Sequence, residues 1–142
     1  MRDERWKELG SVECRSLLAS THLGRVAFVV GDYPVVLPVN HVVDDDSIVF
    51  RTGPGILLDA AAGRAAVAFE VDGIDERSRT GWSVLVRGHA EHVTDDTERH
   101  RLEGLGLMPW APGARPDYVR VTGVETTGRR ISVPTLPSNY WG

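Results

Sequence analysis

The sequence predicts a mainly β domain: a barrel of six or seven mostly antiparallel strands with two or three short helices. Three observations carry this. The runs "GRVAFVV", "VVLPVNHVV" and "SIVFRT" are rich in β-branched residues and follow one another with only the short turn-forming stretches "GDYP" and "DDDS" between them. Two further runs of the same kind, "RAAVAFEV" and "WSVLVRGHAEHV", come later. The length of 142 residues, with 42% hydrophobic and 25% charged residues, suits one soluble domain over residues 1–142 with a single core. Sequential meander strands of this number close into a barrel, which removes exposed edges.

Each element follows in order. "SVECRSLLAS" reads as a helix with Ser11 as N-cap, and Val12, Leu17 and Leu18 as candidates for the core. Gly24 to Val30 is a strand. Gly31 and Asp32 form a turn that Pro34 closes, and Val35 to Val43 returns as the hairpin partner. Asp44 to Ser47 turns again into "SIVFRT". Gly55 to Ala62 is a helix of about two turns. Arg64 to Val71 is a strand, "DGIDERSRTG" a polar loop, and Trp82 to Val93 the longest strand, with Gly88 marking a bulge or bend. A polar helix capped by Thr94 or Asp95 follows, then the loop "MPWAPGARP". "DYVRVTGVETTGRRISV" supplies one or two strands, with a possible turn at Thr126 to Arg129, and "PTLPSNYWG" is an aperiodic tail.

Composition excludes several function classes. A net charge of −4 argues against a nucleic-acid partner, which needs a basic stripe. The single cysteine, Cys14, forms no intrachain disulfide, so nothing points to secretion. The charged N-terminus has no apolar signal core, and no apolar run approaches the ~20 residues that span a membrane, so a cytoplasmic protein is expected. No metal is expected. His89 and His92 are three apart on a strand and point to opposite faces unless Gly88 bends it, and "DDDS" lacks the glycine and distal glutamate of a calcium loop.

Three places could carry chemistry. In "FRTGPGILLDAAAG", Gly53 permits a tight turn, Pro54 suits a first helical turn, and Arg51 offers a planar fork to a phosphate while Thr52 adds a hydroxyl. The bland alternative is a plain strand-to-helix corner with a surface arginine. In "LPVNH", Asn40 could present an amide to a heterocycle and His41 could protonate a substrate, although both residue types are ordinary in a strand. The aromatic residues Trp82, Trp110, Tyr140 and Trp141 could stack on a flat ligand or fill an interface between chains, or simply pack on their own barrel.

The order "GRVAFVV…YPVVLPVNHVV…SIVFRTGPG…LDAAAGRAAVAFEVD…TGWSVLVRGHAEHV" resembles the pyridoxamine 5′-phosphate oxidase-like, flavin-binding split-barrel superfamily, and more closely its small actinobacterial branch, which includes nitroimidazole-reductase-like proteins. "TGRRI" fits that family's last strand. The resemblance implies a six-stranded antiparallel split β-barrel working as a homodimer, with FMN in two equivalent grooves at the interface. Pro38, Val39 and Asn40 then line the isoalloxazine ring. Phe50, Arg51 and Thr52 meet the ring and the ribityl-phosphate chain. Trp82 and Ser83 complete the site, commonly from the other subunit. Leu57 stands where the family often has a phosphate-binding lysine, and Arg51, the helix N-terminus, or another arginine such as Arg87, Arg129 or Arg130 could compensate. His41 replaces an expected tyrosine.

The expected activity is therefore a flavin-dependent oxidoreductase that passes two electrons to or from a small planar substrate, with His41 as the candidate proton donor. A deazaflavin cofactor is the first alternative; Arg51, Arg64 and Arg87 would serve its acidic tail. The second alternative is a non-catalytic flavin- or haem-binding module, with His22, His41, His89, His92 and His100 as possible axial ligands.

Overall fold

Side chains alternate across a strand, so a six-stranded ring sends every second residue into one shared core. The computed structural model describes residues 5–132. The chain forms β1 (Trp6–Glu8), α1 (Ser11–Ser20), β2 (Leu23–Val30), β3 (Tyr33–Asp44), β4 (Ser47–Thr52), α2 (Ile56–Ala62), β5 (Ala66–Asp75), β6 (Thr80–His92), α3 (Asp96–Glu103) and β7 (Asp117–Ile131). The ring runs β2-β3-β4-β7-β6-β5 and back to β2, with every neighbour antiparallel. β1 pairs with the end of β7 outside the ring, Trp6 opposite Ile131.

Inward residues include Val26, Phe28, Phe50, Phe69, Val84 and Val121, all nearly inaccessible, and Leu18 of α1 and Leu57 of α2 plug the same core. Burying such side chains contributes roughly 1.5–3 kcal/mol each. A second, smaller cluster forms outside the barrel wall, where Leu102 of α3 and Leu107 pack on Val49, Val93 and Tyr118. Arg101 reaches both Asp44 and Glu98 at 2.6 Å, and Arg120 pairs with Glu98, so a charge cluster holds α3 to the wall beside this apolar patch.

Several expectations need correction. Gly10, not Ser11, caps α1; Val12 is exposed, and Cys14 takes the buried position beside Leu18. The polar stretch after Asp72 is not one loop. β5 and β6 continue as a hairpin to Asp75 and Thr80, leaving Glu76 to Arg79 as the turn, where the Asp75 carboxylate accepts the N–H groups of Arg77 and Ser78. β7 is one strand without a turn at 126–129. Its irregularity lies earlier: Arg87 faces Glu125 and Gly88 faces Gly123, so residue 124 is extra. Gly88 is required there, because a Cβ on it would stand 2.0 Å from the Thr122 carbonyl oxygen. Asp95 caps α3 by accepting from the Glu98 N–H at 2.9 Å.

Candidate functional site

Strand alternation divides the candidate residues at once. On β3, Pro38 and Asn40 face out, while Val39 packs against the core and His41 is 1% exposed. On β4, Arg51 faces out, and Phe50 is fully buried inside. Leu57 is 5% exposed and belongs to the core. The side chains of Val39, Phe50 and Leu57 therefore do not reach an outer groove. Thr52 is 7% exposed, and its hydroxyl donates to the Gly53 carbonyl at 3.2 Å.

His41, the candidate proton donor, has its side chain in the core. Its Nε2 lies 3.0 Å from the Leu18 carbonyl and 3.4 Å from the Thr21 hydroxyl. The ring meets Phe69 edge-on, with centroids 4.9 Å apart. Burial, the largest influence, pulls its pKa below the ordinary histidine value. A neutral ring whose Nε2–H donates to Leu18 ties the end of α1 to β3. Its Nδ1 is left buried without a partner.

Two outward regions remain. The first surrounds the end of β4. Arg51 lies 5.5 Å over the Tyr118 ring, donating from Nε to the Arg115 carbonyl at 3.0 Å and from Nη1 to the Leu107 carbonyl at 3.2 Å. Asn40 accepts the Trp110 N–H at 2.7 Å and donates to the His22 carbonyl at 3.2 Å. The two polar side chains that the sequence singled out thus fasten the loop between α3 and β7 against the barrel. Beside them, Gly55 opens α2 with φ 153° and ψ −166°, a backbone region essentially confined to glycine.

The second region is a groove of about 360 Å³ lined by Trp6, Glu70, Trp82, Ser83, Leu85 and Arg129, among others. Trp82 lies flat against Gly73, where a Cβ would come within 2.6 Å of the indole nitrogen. Arg129 stands 5.2 Å over the Trp6 ring. Arg25 reaches Asp72 at 2.7 Å and Glu70 at 3.1 Å. Desolvation first, and then the neighbouring Asp72, push the Glu70 carboxyl up to about 7.

β2, β3 and β5 together present an outward apolar face. Val29 is 64% and Val36 58% exposed, and a shallow cavity of about 530 Å³ lies over Val29, Pro34, Ala66 and Ala68.

The remaining candidates are scattered. Arg51, Arg64 and Arg87 do not converge: Arg64 borders a cavity with His92 and Glu98, and Arg87 pairs with Glu125. His92 pairs with Asp117 at 3.2 Å. Among the described residues, no group of three or more His, Cys, Asp or Glu could hold a metal ion. No described helix is long and apolar enough to cross a membrane. Cys14 is buried, which raises its thiol pKa. Trp110 is 70% exposed, whereas Tyr140 and Trp141 lie outside the described residues. Sequence reasoning did not single out Trp6, the Arg25–Glu70–Asp72 cluster or Arg115. Strand register and a loop crossing assemble these groups from distant segments, so no local spacing announces them.

Comparison with known proteins places these features. The family model described as pyridoxamine 5′-phosphate oxidase matches residues 11–130. An uncharacterized Mycobacterium tuberculosis protein, Rv0080, is 39% identical over 129 residues, covering 87% of this chain and 84% of that protein. The solved structure of an FAD binding protein from Mycobacterium smegmatis superposes with a TM-score of 0.72 at 33% identity, covering 89% of this chain and 98% of that one. A conserved Corynebacterium diphtheriae protein of unknown function, DIP1874, gives a TM-score of 0.77 at 32% identity, with 92% and 100% covered.

Proposed function

Because the chain belongs to the pyridoxamine 5′-phosphate oxidase family, we propose that it is a cytoplasmic flavin-dependent oxidoreductase acting as a homodimer on a small planar substrate. One observation carries this reading. The outward polar groups fall into two regions that are separated on a single chain. Asn40 on β3 and Arg51 on β4 border the first, and Trp82 and Ser83 on β6 the second. Arg51 is paired with Tyr118 and Trp82 with Arg130, near opposite ends of β7, so we infer that neither group completes the other within one protomer. A twofold axis through the exposed Val29–Val36 face would bring the first region of one copy against the second region of its partner.

The residues present suit a flavin nucleotide. Arg51 has no carboxylate partner among the described residues and offers N–H groups to a phosphate. The outward Pro38 and the free capacity of the Asn40 amide suit the edge of a flat heterocycle. Trp82 gives an apolar wall that excludes water, and Ser83 a hydroxyl beside it. The flavin, when bound, supplies the electron transfer; the protein positions it and limits competing reactions. His41 is not proposed as the proton donor, since its ring is inside the barrel. FMN is the cofactor proposed. The name of the M. smegmatis relative favours FAD as the second candidate.

The test is the absorbance spectrum of the purified protein after incubation with FMN or FAD and gel filtration, followed by mass identification of the released cofactor. Retained oxidised-flavin bands support the reading. A protein that retains neither flavin overturns it and directs attention to a deazaflavin titration.

A further inference from the structure

We propose that Arg115, carried by the loop between α3 and β7, acts with Arg51 as the second cation for the phosphate of the bound nucleotide; this rests on the flavin reading above. Position 57 cannot serve, because Leu57 is inside the core. Arg15, Arg25, Arg87, Arg101 and Arg120 all have acidic partners. Arg51 and Arg115 have none among the described residues.

The loop is placed firmly enough for this role. Three hydrogen bonds fasten it: Arg51 to the carbonyls of Arg115 and Leu107, and the Trp110 N–H to Asn40. Its next contact is with the turn after β4. The Ala114 carbonyl oxygen lies 3.0 Å from where a side chain on Gly53 would begin, so only glycine sits there without displacing the loop. Arg115 is therefore held beside both Arg51 and the turn at 53–55. Its Nε is buried and has no hydrogen-bond partner. A buried guanidinium N–H without an acceptor is an unfavourable arrangement. A phosphate group accepting from Arg115 as well as Arg51 removes this penalty.

The experiment compares FMN with riboflavin, which lacks the phosphate, by flavin fluorescence titration of the full chain and of Arg115→Gln. The expected result is that FMN affinity falls about ten- to a hundredfold in the variant. Riboflavin affinity stays unchanged, which also shows that the variant is folded. Equal FMN affinity in both proteins overturns the role of Arg115 and leaves the flavin reading standing. Loss of FMN and riboflavin together in the variant also overturns it, since the residue would then be structural. If the unaltered chain binds neither flavin, the flavin reading fails, and inorganic pyrophosphate becomes the probe. Calorimetric binding of pyrophosphate that Arg115→Gln abolishes sustains the anion site; no binding removes it.

Discussion

Glu70 occupies an unusual position for a carboxylate: it points outward, yet Arg25, Asp72 and the groove around Leu85 surround it. Its folded-state pKa of about 7 exceeds the ordinary carboxyl value, with desolvation as the first cause. The folded state therefore holds this proton where the unfolded chain has released it. The resulting stabilisation is fully present below the unfolded pKa and is lost as pH rises through about 7. Glu70→Gln should flatten the fall in stability between the ordinary carboxyl range and neutrality, as read by urea melts across a pH series. An unchanged slope would mean that another group titrates there. At this scale the sequence was informative about types and less so about directions. "LPVNH" and "FRT" read as contiguous runs, but the period of two lets only alternate residues share a face. Asn40 and Arg51 are outside; Val39, His41 and Phe50 are inside. The Arg25–Glu70–Asp72 cluster depends on β2 lying beside β5, which spacing along the chain does not reveal.

The elements were legible wherever β-branched residues ran together and turn residues separated them. β2, β3, β4 and β6 lie within a few residues of their expected limits. β1 escaped because three residues with a charged pair carry no periodic signal; register with β7 alone makes them a strand. The β5–β6 hairpin looked like a loop because it projects beyond the core, where polar residues satisfy its exposed face. Gly88 was legible as an irregularity, and the structure supplies the reason: β7 bulges opposite it, bringing the Thr122 carbonyl into the space of a side chain. Gly88→Ala should destabilise the fold by about 3 kcal/mol or more, because the obstructing atom is backbone and cannot rotate away. Chemical denaturation checks this. A loss below about 1 kcal/mol would mean that the bulge relaxes easily.

For the molecule as a whole, the barrel follows from the strand pattern, because meander strands have few other ways to hide their edges, and its count of six is what the family resemblance implied. The face that would join two copies was not legible, since Val29 and Val36 look like any other strand valines until their outward direction is known. Val36→Asp should leave the melting temperature nearly unchanged, as the side chain is 58% exposed, while shifting sedimentation from dimer to monomer and abolishing flavin retention. A dimer that persists in this variant would place the contact elsewhere.

β7 pairs with β4 along its first half, with β6 along nearly all its length, and with β1 at its end. Since it is the last of the described strands, ring closure waits until β7 has been made. A nascent chain that has not yet extended past Asp117 keeps two strand edges open, on β4 and β6, and Trp6 has no strand to join. Folding on the ribosome is thus confined to an open sheet, exposed to chaperones and to neighbouring chains, until β7 emerges and shuts it in one step.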